Sequence, residues 1–281
     1  MWRHLSFTTA IVAGSLALAG CHDTHTGPRR DVVPPSAPSG VFSVTGDHRV
    51  WLHWDPNPES DVVSYRIYEG ACDTGPNCPY TRIGSTSGLS FEVDGLANGV
   101  TRYFAVAAVD RAGNESDLSY DSVFDTPRPE GFGLAILSVE NDPDFAGYDF
   151  SSYQVVPFDY SDVDIVFTAA GGARQIYAPY VDTDIQDMGP TASLDDIDWA
   201  PNSGWSPTGT VEAVPGHAYV VWTWDDHYAK FRVVSVNGLR VIVDWAYQVD
   251  PGNRELRARR AVDEDGTPAP RVKRAGIAAS R

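Results

Sequence analysis

The stretch AYVVWTW (218–224), DD (225–226), HYAKFRVVSV (227–236), NG (237–238) and LRVIVDWAYQV (239–249) decides the fold class. β-Branched and aromatic residues fill the three long runs, and turn formers separate them. Asn-Gly is a strong short hairpin signal, because both residues tolerate positive φ. The pattern predicts an antiparallel meander of three strands. With two-residue turns at Asp225-Asp226 and Asn237-Gly238, Trp224 faces His227, Val220 faces Phe231 and Lys230 faces Trp245. Period two then places Ala218, Val220, Phe231, Val233 and Ile242 on one apolar face, the expected core. Tyr219, Tyr228, Lys230, Arg232, Trp245 and Tyr247 occupy the other face. Cations between rings can pack as a cation–π ladder, or the face can hold an anionic or planar ligand; these six residues are the candidate ligand site. Asp244 falls on the apolar side beside Phe231, where a carboxylate needs donors, an open sheet end or a ligand.

Working outward, further strands are expected at Tyr153–Val156, Val163–Thr168 and Gln175–Ala178. They assign residues 132–253 to one antiparallel β-domain. Thr126-Pro127-Arg128-Pro129-Glu130-Gly131 is a boundary, since two prolines block pairing and stiffen the joint. Before it, Val50, Leu52 and Trp54 alternate, as do Tyr65 and Ile67, Phe91 and Val93, and Phe104, Val106 and Ala108. Turns recur at sandwich spacing. The expectation is an all-β chain with a first β-sandwich at 38–126, a Pro-rich tether at 21–37 and a disordered basic tail at 254–281.

Three stretches carry resemblances to known families. Val50-x-Leu52-x-Trp54, Tyr65-Arg66-Ile67-Tyr68, Leu96-Ala97-Asn98-Gly99 and Phe104–Asp110, closed by Arg111-Ala112-Gly113-Asn114-Glu115-Ser116, resemble a fibronectin type III domain. The resemblance implies a spacer or adhesion module. Where that family has its corner tyrosine this chain has Arg102, with Tyr103 next, and either side chain is a candidate for the corner bond. The stretch 216–233, with Val243–Gln248 and Asp162–Phe167, is similar to the HmuY-like envelope lipoproteins, whose founding members bind haem. At the N-terminus, Arg3 and His4 precede the apolar run Ile11–Leu18. That run is far below the ~20 residues of a spanning helix. It ends in Leu18-Ala19-Gly20-Cys21, which resembles a bacterial lipobox. The resemblance implies a signal peptide at 1–20, removed so that Cys21 is the lipid-bearing N-terminus. It also implies a cell-envelope location, lipid-anchored. The outer membrane is favoured because His22, not aspartate, follows the cysteine.

The formal net charge is −17, and residues 21–253 alone carry −22. Such a chain repels phosphate backbones, so nucleic acid is not an expected partner. The membrane, through the lipid, and a protein, glycan or small molecule are. With Cys21 acylated, Cys72 and Cys78 remain. They flank a turn-rich run and are expected to form a disulfide in an exported chain.

Enzyme motifs are missing. Gly204-Trp205-Ser206-Pro207-Thr208-Gly209 is no nucleophile elbow, because the second glycine lies one place too far and Pro207 spoils the turn. No histidine pair has zincin spacing and no glycine-rich loop ends in Lys-Ser/Thr. A paired-carboxylate glycosidase site is the remaining enzymatic alternative, since such pairs meet only in the fold. Asp182, Asp184 and Asp187, and Asp195, Asp196 and Asp198, are acidic loop groups without EF-hand spacing. No metal and no cofactor is expected. Haem is the alternative, with His217, His227 and Met188 as candidate ligands. The expected register puts the two histidines on opposite faces, about seven positions or ~23 Å apart, against a shared iron. A non-catalytic lipoprotein that presents a β-rich binding domain is the expectation. A structural or adhesion lipoprotein without small ligand is the alternative.

Overall fold

The computed structural model describes residues 30–70, 79–120 and 123–257. Cys21, Cys72 and Cys78 lie outside them. Seventeen strands and three short 3-10 turns make up the regular structure among the described residues.

The first seven strands are β1 Phe42–Gly46, β2 Arg49–His53, β3 Val62–Gly70, β4 Tyr80–Thr86, β5 Ser90–Asp94, β6 Arg102–Asp110 and β7 Val123–Asp125. They form a three-stranded sheet, β1-β2-β5, and a four-stranded sheet, β4-β3-β6-β7. This three-on-four order is that of the fibronectin type III sandwich. The alternating residues point where their period requires. Val50, Leu52, Trp54, Tyr65, Ile67, Phe104, Val106 and Ala108 share one core. Arg102 pairs with Glu69 at 3.1 Å, and Tyr103 packs its ring on Phe124. Both are therefore engaged within their own sheet. The segment before β1 is held to the domain at Asp31, whose carbonyl accepts from Asn114, and at Ser36, whose N–H and hydroxyl donate to Glu59.

The second domain contains β8 Glu130–Leu137, β9 Gly147–Asp149, β10 Gln154–Val156, β11 Ile165–Thr168, β12 Gln175–Tyr177, β13 Asp184–Pro190, β14 Thr210–Glu212, β15 His217–Trp222, β16 Tyr228–Asn237 and β17 Arg240–Gln248. They form two five-stranded sheets, β10-β9-β11-β12-β14 and β13-β15-β16-β17-β8. A core of Tyr148, Phe150, Phe167, Ile176, Tyr219, Phe231, Trp245 and their neighbours fills the space between the sheets. Phe231 lies 4.8 Å from Tyr219, ring over ring.

The predicted meander is β15-β16-β17, but its register differs by one residue. Trp222 faces Tyr228, Val220 faces Lys230 and Tyr219 faces Phe231. The reason lies in the turn. Thr223 N–H donates to the His227 carbonyl, and His227 N–H donates to the Thr223 hydroxyl. The loop between them has three residues, Trp224, Asp225 and Asp226, and Asp226 sits at φ +64°, the left-handed place of a three-residue hairpin. In the second turn the central pair is Gly238-Leu239, with Asn237 opposite Arg240. Gly238 takes φ +62°, where a side chain would be strained. A bulge between Val233 and Ser235 follows. Phe231 therefore faces Trp245, so Lys230 and Trp245 lie on different faces. One slip exchanges faces for a whole strand. Tyr219, Trp245 and Tyr247, expected at a ligand face, are core. Ala218 and Val220, expected in that core, lie on the outer face.

The joint is hydrogen-bonded on both sides. Gly99 N–H donates to the Pro127 carbonyl, Arg128 N–H to Gly46, and Tyr247 N–H to Pro129. Arg128 is 1% exposed, and none of its side-chain nitrogens has a hydrogen-bond partner among the described residues. The carboxylates of Glu130 and Asp125 offset its charge at longer range.

Candidate functional site

The outer face of β13-β15-β16-β17-β8 is roofed rather than open. The chain crosses it at 191–205 and again at 253–257. In the first crossing, Ser193 and Asp196 cap a 3-10 turn, Leu194–Asp196, through each other's backbone N–H groups. In the second, Leu256 and Arg257 N–H donate to the Asp198 carbonyl. Ile197, Ala200, Leu256 and the partly buried Met188 and Trp205 pack on Ala218, Val220 and Tyr228. The packed chain thus continues past Asn253, with Leu256 fully buried.

Under this roof lie Tyr228, Lys230 and Arg232, three of the six residues expected at a ligand face. Lys230 is fully buried and its Nζ donates to the Ile197 carbonyl at 2.8 Å. It therefore ties the roof to the sheet instead of stacking between rings. Burial, reinforced by the charge of Arg128, holds its amine well below the ordinary lysine range. Arg232 donates through Nε and Nη2 to the Thr191 carbonyl. Asp244 is not beside Phe231. It faces Arg232 across β16 and β17 and accepts Gly133 N–H at 2.8 Å. Of the three outcomes expected for Asp244, hydrogen bonding is met, and the carboxyl also lines a cleft.

That cleft, about 160 Å³, opens where the roof edge meets β8 and is lined by Glu130, Phe132, Ser193, Asp195, Arg232 and Asp244. Phe132 stands 62% exposed at its mouth. Sequence reasoning found Arg232, flagged Asp244 and named Asp195 only as part of an acidic loop group, but missed Glu130 and Phe132. These residues are brought together only by the pairing of β8 with β17 and by the roof.

The histidines are separated by position, not by face. His217 and Tyr219 are two residues apart on β15, as His227 and Ala229 are at the start of β16, so both histidines lie toward the inner side. His217 sits at one end of β15 and His227 beside Thr223 at the other, six positions or ~20 Å apart. His217 Nδ1 contacts Asp187 at 3.0 Å, and His227 Nδ1 lies 3.1 Å from Asp225. Met188 faces the roof. The two histidines thus share a face, contrary to the expected register, yet with Met188 they do not converge on one iron.

The acidic loop groups are occupied structurally or dispersed. Asp187 holds His217 and Gly189 N–H, Asp184 lies opposite Trp222, and Asp196 caps the roof turn. A carboxylate trio not foreseen stands in the first domain: oxygens of Asp31, Asp61 and Asp110 lie within 4.8 Å of one another. Asn114 donates to both oxygens of Asp110.

A further polar group is buried at the end of the core. Asp164 is 2% exposed and accepts Phe150 N–H at 2.8 Å. Burial pushes its carboxyl up to about 8, and the like charges of Asp149, Asp225 and Asp162 add to this.

No family model matches the chain. It is 34% identical over 105 residues to an amylopullulanase of Thermoanaerobacterium saccharolyticum and 33% identical over 105 residues to an amylopullulanase of Thermoanaerobacterium thermosulfurigenes. Each match covers 37% of this chain, but only 8% and 5% of the two enzymes. Among solved structures, an Fn3-like protein from Clostridium thermocellum aligns at 24% identity over 32% of this chain and 92% of its own, with TM-score 0.26. A DUF4466 family protein from Parabacteroides merdae aligns at 11% identity over 76% of this chain and 99% of its own, with TM-score 0.39. The chain is all-β, and its first domain is fibronectin type III-like.

Proposed function

We propose that this chain is a non-catalytic lipoprotein of the cell envelope, anchored through Cys21 in the outer membrane, in which the type III domain holds a binding domain away from the lipid. The carrying observation is the joint. Residues 127–129 hydrogen-bond to the type III domain at Gly46 and Gly99 and to the second domain at Tyr247. A spacer built this way presents its neighbour in a set orientation. The roofed cleft with Arg232, Asp244 and Phe132 is the binding feature so presented.

We read the second domain as HmuY-like on its strand sequences, without carrying over that family's haem. His217, His227 and Met188 do not form one ligand set. The likeness to amylopullulanases favours a second reading, in which the bound partner is a glycan and the type III domain is the accessory type found in carbohydrate-active proteins. Labelling cells with a radioactive fatty acid tests the anchor. Label is expected in the wild-type protein and lost in Cys21→Ser, with release from the membrane fraction; equal label in both overturns the proposal.

A further inference from the structure

Three loops meet at one end of the sheet β10-β9-β11-β12-β14: the turn Pro143–Phe145, residues 157–162 and residues 178–182. Phe158 N–H donates to the Pro143 carbonyl at 2.9 Å, and Tyr180 Oη to the Tyr160 carbonyl at 3.1 Å. Their exposed side chains include four aromatic rings and a valine. Phe145 is 53% exposed, Phe158, Tyr160 and Tyr180 are each more than a third exposed, and Val181 is fully exposed. The loops adjoin a small buried cluster of Ala146, Val156, Val163 and Val166, which does not include these exposed side chains. Adjoining exposed rings with a polar rim mark an interaction surface.

The rim has one sign. Asp144, Asp159 and Asp182 are exposed, and Asp142, which accepts Asp144 N–H, and Asp162 stand beside them. Between Arg128 and Lys230 the chain has seventeen acidic residues and one Lys or Arg, Arg174. The field over these loops repels anionic lipid, nucleic acid and acidic polysaccharide, and attracts cations. Interfaces are enriched in aromatic residues, with most of the energy in a few of them.

We propose that this patch docks a basic protein segment. Arginine and lysine stems lie on Phe145, Phe158, Tyr160 and Tyr180, where their charges meet the ring faces and the rim carboxylates. This goes beyond the envelope-anchor reading and does not depend on the roofed cleft or on Cys21.

The test uses the mature chain carrying Cys21→Ser, so that failure of the anchor proposal leaves it unaffected. The probe is a short synthetic peptide alternating arginine and leucine, with a glutamate-for-arginine version and a serine-for-leucine version as controls, read by fluorescence anisotropy at increasing salt. Binding is expected for the arginine–leucine peptide alone. It should weaken about tenfold or more in Phe145→Ser/Tyr160→Ser/Val181→Ser and lose much of its salt dependence in Asp144→Asn/Asp159→Asn/Asp182→Asn. Absence of binding, or equal binding by the wild type and the ring variant, overturns the proposal. So does concentration-dependent dimerisation in sedimentation that Val181→Asp abolishes, because the occupant is then a second copy of the chain.

Discussion

Replacing Asp164 with asparagine should remove a large pH-dependent contribution to the stability of the second domain. Asp164 is 2% exposed, and its carboxyl is pushed up to about 8 by burial and by neighbouring carboxylates. In the unfolded chain it titrates near 3.8. Between these values the folded state holds a proton that the unfolded state has released. The sign is therefore the reverse of the usual carboxylate case: stability is fully present below about pH 4 and falls as pH rises toward 8. Between pH 5 and pH 8 the wild type should lose about 3 to 4 kcal/mol through this group. A folded value one unit lower still leaves about 2.6 kcal/mol. Asparagine keeps an acceptor for Phe150 N–H and cannot ionise. Urea denaturation of wild type and Asp164→Asn at pH 5 and pH 8, followed by tryptophan emission and far-UV circular dichroism, measures the difference. Other titrating groups are shared by both proteins and cancel. The variant's advantage should grow by several kcal/mol across the interval. A change below about 1 kcal/mol would mean that the carboxylate is ionised in the folded state, and would refute the reasoning.

Lys230→Met should be relatively more stable at pH 6 than at pH 9. A depressed lysine makes the folded state release a proton that the unfolded state keeps, so wild-type stability rises with pH and the variant's does not; a pH-independent difference in urea midpoints counts against it. Phe231→Ala removes a ring packed between Tyr219 and Phe150 and should cost about 3–5 kcal/mol, with a loss under 1 kcal/mol contradicting the core placement. Haem added to the mature protein should give no bis-histidine Soret band that disappears in both His217→Ala and His227→Ala; such a band would show that the ends of β15 come together.

Strands of the type III domain with one wet face were legible for that reason, whereas β6, buried on both faces from Phe104 to Asp110, alternates large and small residues instead. In β2 the burial alternates along Arg49–His53, and the apolar positions in the sequence alternate with it. β8 and β13 gave no comparable signal. β8 contains Gly131 and Gly133, and β13 reads DIQDMGP; both take their place by pairing with β17 and β15 rather than by their own pattern. The site was half legible for a related reason. Lys230 and Arg232 share a face in any register, so sequence alone could pair them. Glu130 and Asp195 reach Arg232 from distant parts of the chain.

The register error has its own physical cause. Ala218, Tyr219, Val220 and Val221 are all buried, because one side of β15 meets the sandwich core and the other meets the roof. A strand buried on both faces has no contrast between neighbours, and periodicity cannot say which face is which. The choice then falls to the turn, and Trp224-Asp225-Asp226 closes with three residues instead of two through the Thr223 and His227 bonds. Asp244 carried the information that could have corrected this. In the two-residue register it is a carboxylate against Phe231 with no stated donor, a costly arrangement. Shifting β16 by one residue places it opposite Arg232 and beside Gly133 N–H. The unsatisfied polar group, more than the hydrophobic pattern, distinguishes the two registers.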